Sequence, residues 1–217
     1  MQLLEFYESL PSLEMVPQFY VKGYTEALKT YRGVRVIPDM SYIEGLPKTH
    51  KDYLKAAGFP CYFIPHIKNN YLYGYTVKSY GKRTPRKEVS GYNYLPGYED
   101  VKEGSTIVFV EGIKDSYLPR TAKLLTLPMC TSSIPTNLLR ELAAIHCRII
   151  YCPDNDEHRN NSIVNLTKKL NTESFRIPME VFYLQGIKDF GEFFDSPAQR
   201  AQALSEVKRL RQEYLNW

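Results

Sequence analysis

The distribution of hydrophobic residues changes character along the chain. After residue 104, continuous apolar, β-branched runs alternate with stretches of helical period. The runs Thr106–Val110 and Cys147–Cys152 have the pattern of strands that are buried on both faces. Shorter runs at Leu127–Cys130 and Met179–Leu184 predict two more strands. We therefore predict an α/β fold with a small, mostly parallel sheet and right-handed crossovers. The predicted helices of this part are 115–125, 136–145, 163–170 and 197–217.

The first hundred residues have a different pattern. Val34–Ile37 predicts a short strand that Pro38 ends, and Cys61–Ile67 and Tyr71–Tyr80 predict a hairpin around a turn at Lys68–Asn70. Short helices are predicted at 21–30 and 48–57. The whole pattern predicts three segments: a basic α+β subdomain, an α/β domain and a C-terminal helix. Their predicted bounds are 1–103, 104–195 and 196–217.

Composition places the chain among ordinary globular proteins, because 43% of its residues are hydrophobic and 24% are charged. The N-terminus lacks the basic start and apolar stretch of a signal peptide, and no run approaches transmembrane length. We therefore expect a cytoplasmic protein without a membrane partner. The four cysteines lack the spacing of a zinc site, so neither zinc nor disulfides are expected.

Basic residues are clustered in one stretch of the chain, and tyrosines are frequent. The net charge is only +4, but six basic residues and no acidic residue lie between positions 68 and 87. Several of the 18 tyrosines stand beside a lysine or an arginine. Such rings either pack half-buried with a wet polar tip or stack on nucleic-acid bases, and both interpretations stay open. The six basic residues are Lys68, Lys78, Lys82, Arg83, Arg86 and Lys87.

Acidic residues follow two of the predicted buried strands. Glu111 comes directly after Thr106–Val110, and Asp154 and Asp156 follow Cys147–Cys152. In open parallel sheets functional groups gather just beyond the carboxyl ends of the strands. Neighbouring carboxylates repel one another unless a cation lies between them, and oxygen ligands favour Mg²⁺ or Mn²⁺ over zinc. This pattern predicts a divalent-metal site for phosphoryl-transfer chemistry.

Each motif alone also has a structural interpretation. Glu111-Gly112 is compatible with a turn that ends a strand, and Asp154-Asn155-Asp156 is compatible with a polar loop or a helix N-cap. An EF-hand is excluded, because the required glycine and distal glutamate are missing. The placement of both motifs after buried strands favours the metal site.

Together these motifs resemble the TOPRIM domain of bacterial and phage-type DNA primases. Val108–Asp115 resembles its first motif, a hydrophobic strand followed by Glu-Gly, and Ile149–Asp156 resembles its second motif, Asp-x-Asp after a strand. Lys188–Phe193 is similar to a Lys-Asp-Pro-x-Glu segment downstream in primases. The resemblance covers about residues 106–194 and implies catalytic roles for Glu111, Asp154 and Asp156, with Asp115 or Glu157 as a further metal ligand and Lys114 as a nucleotide contact.

The preceding segment resembles, more loosely, the basic domain that precedes TOPRIM in bacterial primases. Phe63-Ile64-Pro65, Gly74-Tyr75 and Pro85-Arg86-Lys87 stand in the order of that domain. This resemblance implies that basic residues here hold the template or the incoming triphosphate. A solvated basic turn is the alternative. The candidate residues are Lys78, Lys82, Arg83, Arg86 and Lys87.

The resemblance implies a primase that makes short RNA primers on single-stranded DNA from ribonucleoside triphosphates, with Mg²⁺ or Mn²⁺ as cofactor. A replicative helicase or another replisome protein is an expected partner, in a phage or mobile-element setting within a bacterial host. The sequence departs from the family pattern, since it shows no zinc-binding motif and lacks the glycine after Asp-x-Asp. Two alternatives stay open: a TOPRIM metal-dependent nuclease, and a non-catalytic subunit that binds single strands.

Overall fold

The computed structural model describes residues 1–79, 86–88, 94–130 and 134–214. The chain divides into two compact units, Met1–Glu99 and Asp100–Trp217. Each unit has its own sheet of four strands. The first sheet is antiparallel and the second is parallel, as the change in hydrophobic pattern after residue 104 predicted.

The first unit contains an antiparallel sheet in the order β1-β2-β3-β4. The predicted hairpin forms its centre, and its turn follows from Asn69 and Asn70, whose φ angles are 49° and 63°. Asparagine tolerates this left-handed conformation, which a two-residue hairpin loop of matching twist requires. The strands are β1 (Arg35–Ile37), β2 (Cys61–Lys68), β3 (Tyr71–Ser79) and β4 (Arg86–Glu88).

A bulge interrupts the hairpin close to its tip. His66 pairs with Gly74 and Ile67 pairs with Leu72, so Tyr73 is the extra residue of the bulged strand. A bulge turns the residues beyond it to the opposite face of the strand. Leu72 consequently packs against the hydrophobic core of this unit, and Tyr73 contacts Tyr94 instead.

Three helices flank the first sheet: α1 (Leu3–Ser9), α2 (Tyr24–Leu28) and α3 (Lys48–Ala57). The sequence predicted α3 with the observed bounds, predicted α2 as a longer helix at 21–30, and did not predict α1. Helix α1 contributes only one fully buried side chain, that of Phe6, to the core, and a seven-residue segment has little periodicity to detect. Phe6 packs edge-on against Phe63, with ring centroids 6.0 Å apart.

The second unit contains a parallel sheet in the order β6-β5-β7-β8. Ile107 to Val110 of the central strand β5 and Ile149 to Tyr151 of β7 are fully buried, which confirms the prediction from their continuous apolar runs. The strands are β5 (Thr106–Val110), β6 (Thr126–Pro128), β7 (Arg148–Cys152) and β8 (Met179–Val181); the helices are α4 (Tyr117–Thr121), α5 (Thr136–Ala144), α6 (Arg159–Leu170) and α7 (Arg200–Tyr214).

Several elements are shorter than their predicted counterparts. The predicted helix at 115–125 is a single 3-10 turn followed by α4, and Lys123 lies beyond its end with a φ of 63°. Pro119 lies within the short α4, where a missing N–H is tolerated in the first turn. The predicted strand Met179–Leu184 pairs only over its first three residues, Met179–Val181. The predicted tail helix begins with a 3-10 turn at Pro197, and α7 follows it.

An ion pair within α7, Glu206 with Arg209, anchors this helix to the second unit through contacts that both side chains make with the segment 182–185. Glu206 is 3% exposed, and its carboxylate accepts hydrogen bonds from Arg209 at 2.7 Å and from the backbone N–H of Gln185 at 2.9 Å. The Arg209 guanidinium also lies 4.0 Å from the centre of the Phe182 ring and donates to the Tyr183 carbonyl. In the part of the chain that the structure describes, no helix has the length and apolar character needed to cross a membrane.

Candidate metal centre

Glu111 and Asp154 meet at the carboxyl end of the parallel sheet. Strands β5 and β7 are adjacent and parallel, and Val110 pairs with Cys152, so the two chains leave the sheet side by side. The backbone N–H of Asp154 donates to Oε1 of Glu111 at 3.4 Å. Two residues 43 positions apart in sequence thereby face one another, at the edge where the strand pattern placed them.

A buried tyrosine orients Glu111. The hydroxyl of Tyr151, on β7, donates to Oε1 of Glu111 at 3.0 Å. Burial, followed by the nearby Glu111 carboxylate, raises the pKa of Tyr151, so its hydroxyl stays protonated and remains a donor. This contact could not be predicted from the sequence, because Tyr151 stands within an apolar run and has the pattern of an ordinary core residue.

Asp115 is a buried carboxyl group beside this pair. It lies on the 3-10 turn Lys114–Ser116, and its Oδ2 accepts the backbone N–H of Gly112 at 2.8 Å. Burial raises the pKa of Asp115 well above its ordinary value, and the carboxylates of Asp189 and Asp154 raise it further. Asp115 therefore belongs with the predicted carboxylates.

Two glycines make room for the Asp115 carboxyl group. A Cβ at Gly112 would lie 2.7 Å from its Oδ2, and a Cβ at Gly191 would lie 2.8 Å from its Oδ1. The Gly191 Cβ would also lie 3.1 Å from the backbone carbonyl carbon of Lys114, which has little freedom to shift. Gly112 was interpreted from the sequence as a turn residue; in the structure its missing side chain also leaves room for the Asp115 carboxyl group.

Asp189 is a further acidic residue of the site, and the sequence analysis did not include it among the candidates. Its carboxyl group hydrogen-bonds the carboxyl group of Asp115, and its Oδ1 accepts the backbone N–H of Gly191 at 2.8 Å. This contact between two carboxyl groups contributes to the raised pKa of Asp115. In the sequence, Asp189 could have been selected by its position in the segment Lys188–Phe193, which follows the fourth predicted strand.

The pKa of Asp154 is raised to about 7. Burial is the largest cause, and the carboxylates of Glu111, Asp189 and Asp156 add to it. The ammonium group of Lys188 acts in the opposite direction. Asp154 is therefore held in a strongly negative environment that a cation would relieve.

Asp156 lies farther into solvent than Asp154. Its Oδ1 accepts the backbone N–H of His158 at 2.9 Å, a turn contact that leads into α6. The intervening Asn155 ties this loop to the other acidic segment, because its backbone N–H donates to the Lys188 carbonyl at 2.7 Å. Asp156 thus closes a turn before α6, as the polar-loop interpretation of the triplet proposed, while its charge still acts on Asp154. The N-cap interpretation is wrong, because the cap residue of α6 is His158.

Two cationic side chains lie beside the carboxyl groups. Lys188 is close enough to lower the pKa of Asp154, and Arg159 donates to the side-chain oxygen of Asn155 at 2.5 Å. The Arg159 guanidinium lies 5.3 Å from the centre of the Tyr183 ring, which is 49% exposed. Neither residue was among the predicted site residues, although Lys188 belongs to the primase-like segment Lys188–Phe193.

The predicted nucleotide contacts are placed as follows. Lys114 pairs with Asp195 at 2.5 Å, and Lys78 lies 5.3 Å from the centre of the Tyr24 ring. The remaining predictions, Lys82 and Arg83 and the side chains of Arg86 and Lys87, lie outside the described residues.

The chemistry of the site fits a hard divalent cation, because its candidate ligands are carboxylates. Within the described ranges, however, no three His, Cys, Asp or Glu side chains stand in an arrangement that holds a metal ion. Burial and the neighbouring carboxylates raise the pKa of Asp115 and of Asp154, and hydrogen bonds determine the present positions of the side chains. Glu111 is engaged by Tyr151, and Asp115 by Gly112 and Asp189.

The raised pKa of Asp154 predicts a pH-dependent stability in metal-free buffer. Its pKa is about 7 in the folded chain and 3.8 ordinarily, so between these values only the folded state holds the proton. The free energy of unfolding therefore falls as pH rises from about 4 to 7. We expect Asp154→Asn to gain about 2 kcal/mol over wild type at pH 8, a figure reduced for partial exposure, and nothing at pH 4.

Urea unfolding of both proteins in EDTA at pH 4, 6 and 8 measures this difference. Addition of Mg²⁺ at pH 8 should stabilise the wild type and leave Asp154→Asn nearly unchanged, because binding to the folded state alone raises its stability. Equal pH profiles for the two proteins would show that Asp154 is not in a repulsive environment.

Comparison with solved structures identifies the fold. No protein-family model matches the sequence, and no curated protein matches it. A DNA primase domain from Pseudomonas aeruginosa superimposes with a TM-score of 0.62 at 15% identity, over 97% of this chain and 82% of that one. The Escherichia coli primase catalytic core gives a TM-score of 0.57 at 14% identity, over 99% and 78%.

A third structure, a DnaG primase catalytic domain bound to single-stranded DNA, gives a TM-score of 0.57 at 14% identity, over 87% of this chain and 67% of that one. The chain therefore has the fold of primase catalytic cores, with the TOPRIM sheet that the sequence motifs predicted. At such identities the similarity concerns the fold alone.

Proposed function

We propose that this chain is a primase-type nucleotidyltransferase that synthesises short RNA primers on single-stranded DNA. The observation that carries the proposal is the convergence of Glu111, Asp115, Asp154 and Asp189 at the carboxyl end of the parallel sheet. Buried, mutually repelling carboxyl groups are costly, and function is the usual reason to maintain them. The primase-core fold gives this site its most direct chemical interpretation.

Mg²⁺ or Mn²⁺ would be held by Asp154 and Asp189, with Glu111 and Asp115 beside them and Asp156 at the solvent side. When bound, the cation supplies positive charge that stabilises the phosphates of the nucleotide. The chain's own contribution is a set of carboxylates held in place before binding: Tyr151 orients Glu111, and Gly112 and Gly191 admit Asp115.

In the proposed reaction the 3′-oxygen of the growing strand forms a bond to the α-phosphorus, and the bond to pyrophosphate breaks. The proton of the 3′-hydroxyl must leave, and we assign Glu111 as its acceptor. The hydrogen bond from Tyr151 fixes the direction of the Glu111 carboxylate, which is a requirement for general-base catalysis. Pyrophosphate departs with the electron pair of the broken bond.

The cationic residues next to the carboxylates suit the triphosphate. Lys188 and Arg159 would contact its oxygens, since both lie beside Asp154 or its neighbour Asn155. Lys114 would join them only after its ion pair with Asp195 opens. A helicase or other replisome partner remains a prediction from the sequence resemblance.

The positive charge of the first unit makes it the suitable place for contacts with the template. Residues 1–99 contain 13 lysines and arginines against nine acidic residues, so the whole net charge of +4 belongs to them. Residues 100–217 carry equal numbers of both signs. Phosphate contacts require positive charge and make binding weaken with salt, so we assign the template to the first unit.

The direct test is primer synthesis. The purified chain is incubated with a mixed-sequence single-stranded template, labelled ribonucleotides and Mg²⁺ or Mn²⁺, and the products are resolved by length. We expect short labelled RNAs that depend on template, on all required nucleotides and on the metal. Absence of synthesis over a range of templates would overturn the proposal.

The same reaction without nucleotides distinguishes the alternatives. A TOPRIM nuclease would shorten a labelled strand in a metal-dependent way, whereas a primase would leave it intact. A non-catalytic subunit would bind single-stranded DNA in EDTA as well as in Mg²⁺ and would give no product in either assay.

A further inference from the structure

A row of tyrosines extends from the interior of the first unit to the tip of its hairpin. We call Lys68, Tyr71, Tyr73, Tyr94 and Tyr98 the tip patch. Tyr94 and Tyr98 are buried, with ring centroids 4.5 Å apart, and Tyr73 contacts Tyr94 edge-on at 5.2 Å. Tyr71 contacts Tyr73 at 6.5 Å and is 70% exposed, so the row ends on a ring that faces water.

The bulge in β3 creates this arrangement. Tyr73 is the extra residue of the bulge, and Leu72 takes the place in the core that regular alternation would give to Tyr73. Tyr73 is thus directed to the side of Tyr94, where Lys68 also lies. Bulges are frequently used to redirect a side chain toward a functional surface.

A cation accompanies the rings. The ammonium group of Lys68 lies 5.1 Å from the centre of the Tyr94 ring and 5.7 Å from that of Tyr98. None of the five members of the tip patch is acidic, and Lys68 is cationic, so an anionic partner is favoured.

We propose that the tip patch binds single-stranded nucleic acid, with a base stacked on Tyr71 and an adjacent phosphate near Lys68. Exposed aromatic rings beside positive charge are the combination by which proteins hold single strands without regard to sequence. The edge contact with Tyr73 restricts the Tyr71 ring before a base binds, which lowers the entropic cost of stacking. The choice of a single-stranded ligand rests on the proposed function, and the patch would serve as an additional contact for the template.

The test measures binding of a fluorescein-labelled oligo(dT) by fluorescence anisotropy, with EDTA present and nucleotides absent. Tyr71→Leu should weaken binding about 5- to 100-fold, the range for loss of one stacked ring. Tyr71→Phe should bind within about twofold of wild type because it keeps the ring. Tyr42→Leu is the matched control, since Tyr42 is a surface ring of the same unit, 38% exposed and outside the patch.

A second measurement locates the contact. Oligonucleotides containing 5-iododeoxyuridine are cross-linked by light, and we expect the labelled peptide to contain Tyr71 or Tyr73. Thermal melts followed by circular dichroism confirm that the exposed Tyr71 variants are folded.

Binding of Tyr71→Leu equal to that of wild type would overturn the proposal. An equal loss in Tyr71→Phe would also overturn it, because the hydroxyl rather than the ring would then be responsible. So would a change in oligomeric state in Tyr71→Leu without a change in DNA affinity, which would indicate a protein contact. Intact, Tyr71-dependent binding without any primer synthesis would instead contradict the proposed function and leave this inference standing.

Discussion

Asp154→Asn is expected to lower primer synthesis by about 10²- to 10⁴-fold, the range for loss of a group that stabilises charge in the transition state. The substitution keeps the shape of the side chain and removes its negative charge. Asp154 lies closest to the centre of the carboxylate group, since Glu111, Asp189 and Asp156 all act on its pKa. The measurement is the initial rate of labelled primer formation with Mg²⁺ and saturating nucleotides.

Glu173→Gln is the matched control, because Glu173 is an exposed carboxylate in the connection between α6 and β8, outside the candidate site. It should retain the wild-type rate. Binding of oligo(dT) by Asp154→Asn should also equal that of wild type, which separates chemistry from template binding. Wild-type synthesis by Asp154→Asn would contradict the roles assigned to the carboxylates.

Arg209→Gln is expected to lower the free energy of unfolding by about 3 kcal/mol, because it leaves the buried Glu206 carboxylate without its cation. Glu206 is 3% exposed, and two nitrogen atoms of Arg209 donate to it. The substitution also removes the guanidinium from the Phe182 ring and from the Tyr183 carbonyl. Urea unfolding monitored by circular dichroism measures the change.

Lys208→Gln provides the comparison, since Lys208 is the adjacent cation on α7 and is exposed. It should change the unfolding free energy by less than about 0.5 kcal/mol, as surface substitutions usually do. A double variant, Glu206→Gln with Arg209→Gln, should recover part of the loss because no charge is then left buried. A loss in Arg209→Gln no larger than in Lys208→Gln would show that the ion pair does not fix α7.

The sheet of the second unit could be predicted from the sequence because its central strands are continuous apolar runs. Continuous runs such as Ile107–Val110 are buried on both faces, and no other environment suits them. Parallel strands place their carboxyl ends together, so the meeting of Glu111 and Asp154 followed from the strand pattern. The lengths of β8 and α4 did not follow, because pairing partners and a left-handed residue at Lys123 decide them.

The parts of the site that the sequence did not reveal depend on contacts between distant segments. Asp189 belongs to the site through its hydrogen bond to Asp115, and Gly191 matters because a Cβ there would meet that same carboxyl group. Tyr151 matches a core residue in every local respect except that its hydroxyl meets Glu111. Hydrophobic periodicity indicates which face of a strand is buried, but it does not indicate which polar atom of another segment lies opposite that face.

The pairing of Val110 with Cys152 also has a consequence for the order of folding events. Glu111 and Asp154 become neighbours only when β5 and β7 are in register, after the chain between them has closed a long loop. A cation that binds these carboxylates should therefore slow unfolding and leave the refolding rate nearly unchanged if the pair forms after the transition state. The Mg²⁺ dependence of the two rates would thus report when the central strands of the sheet align.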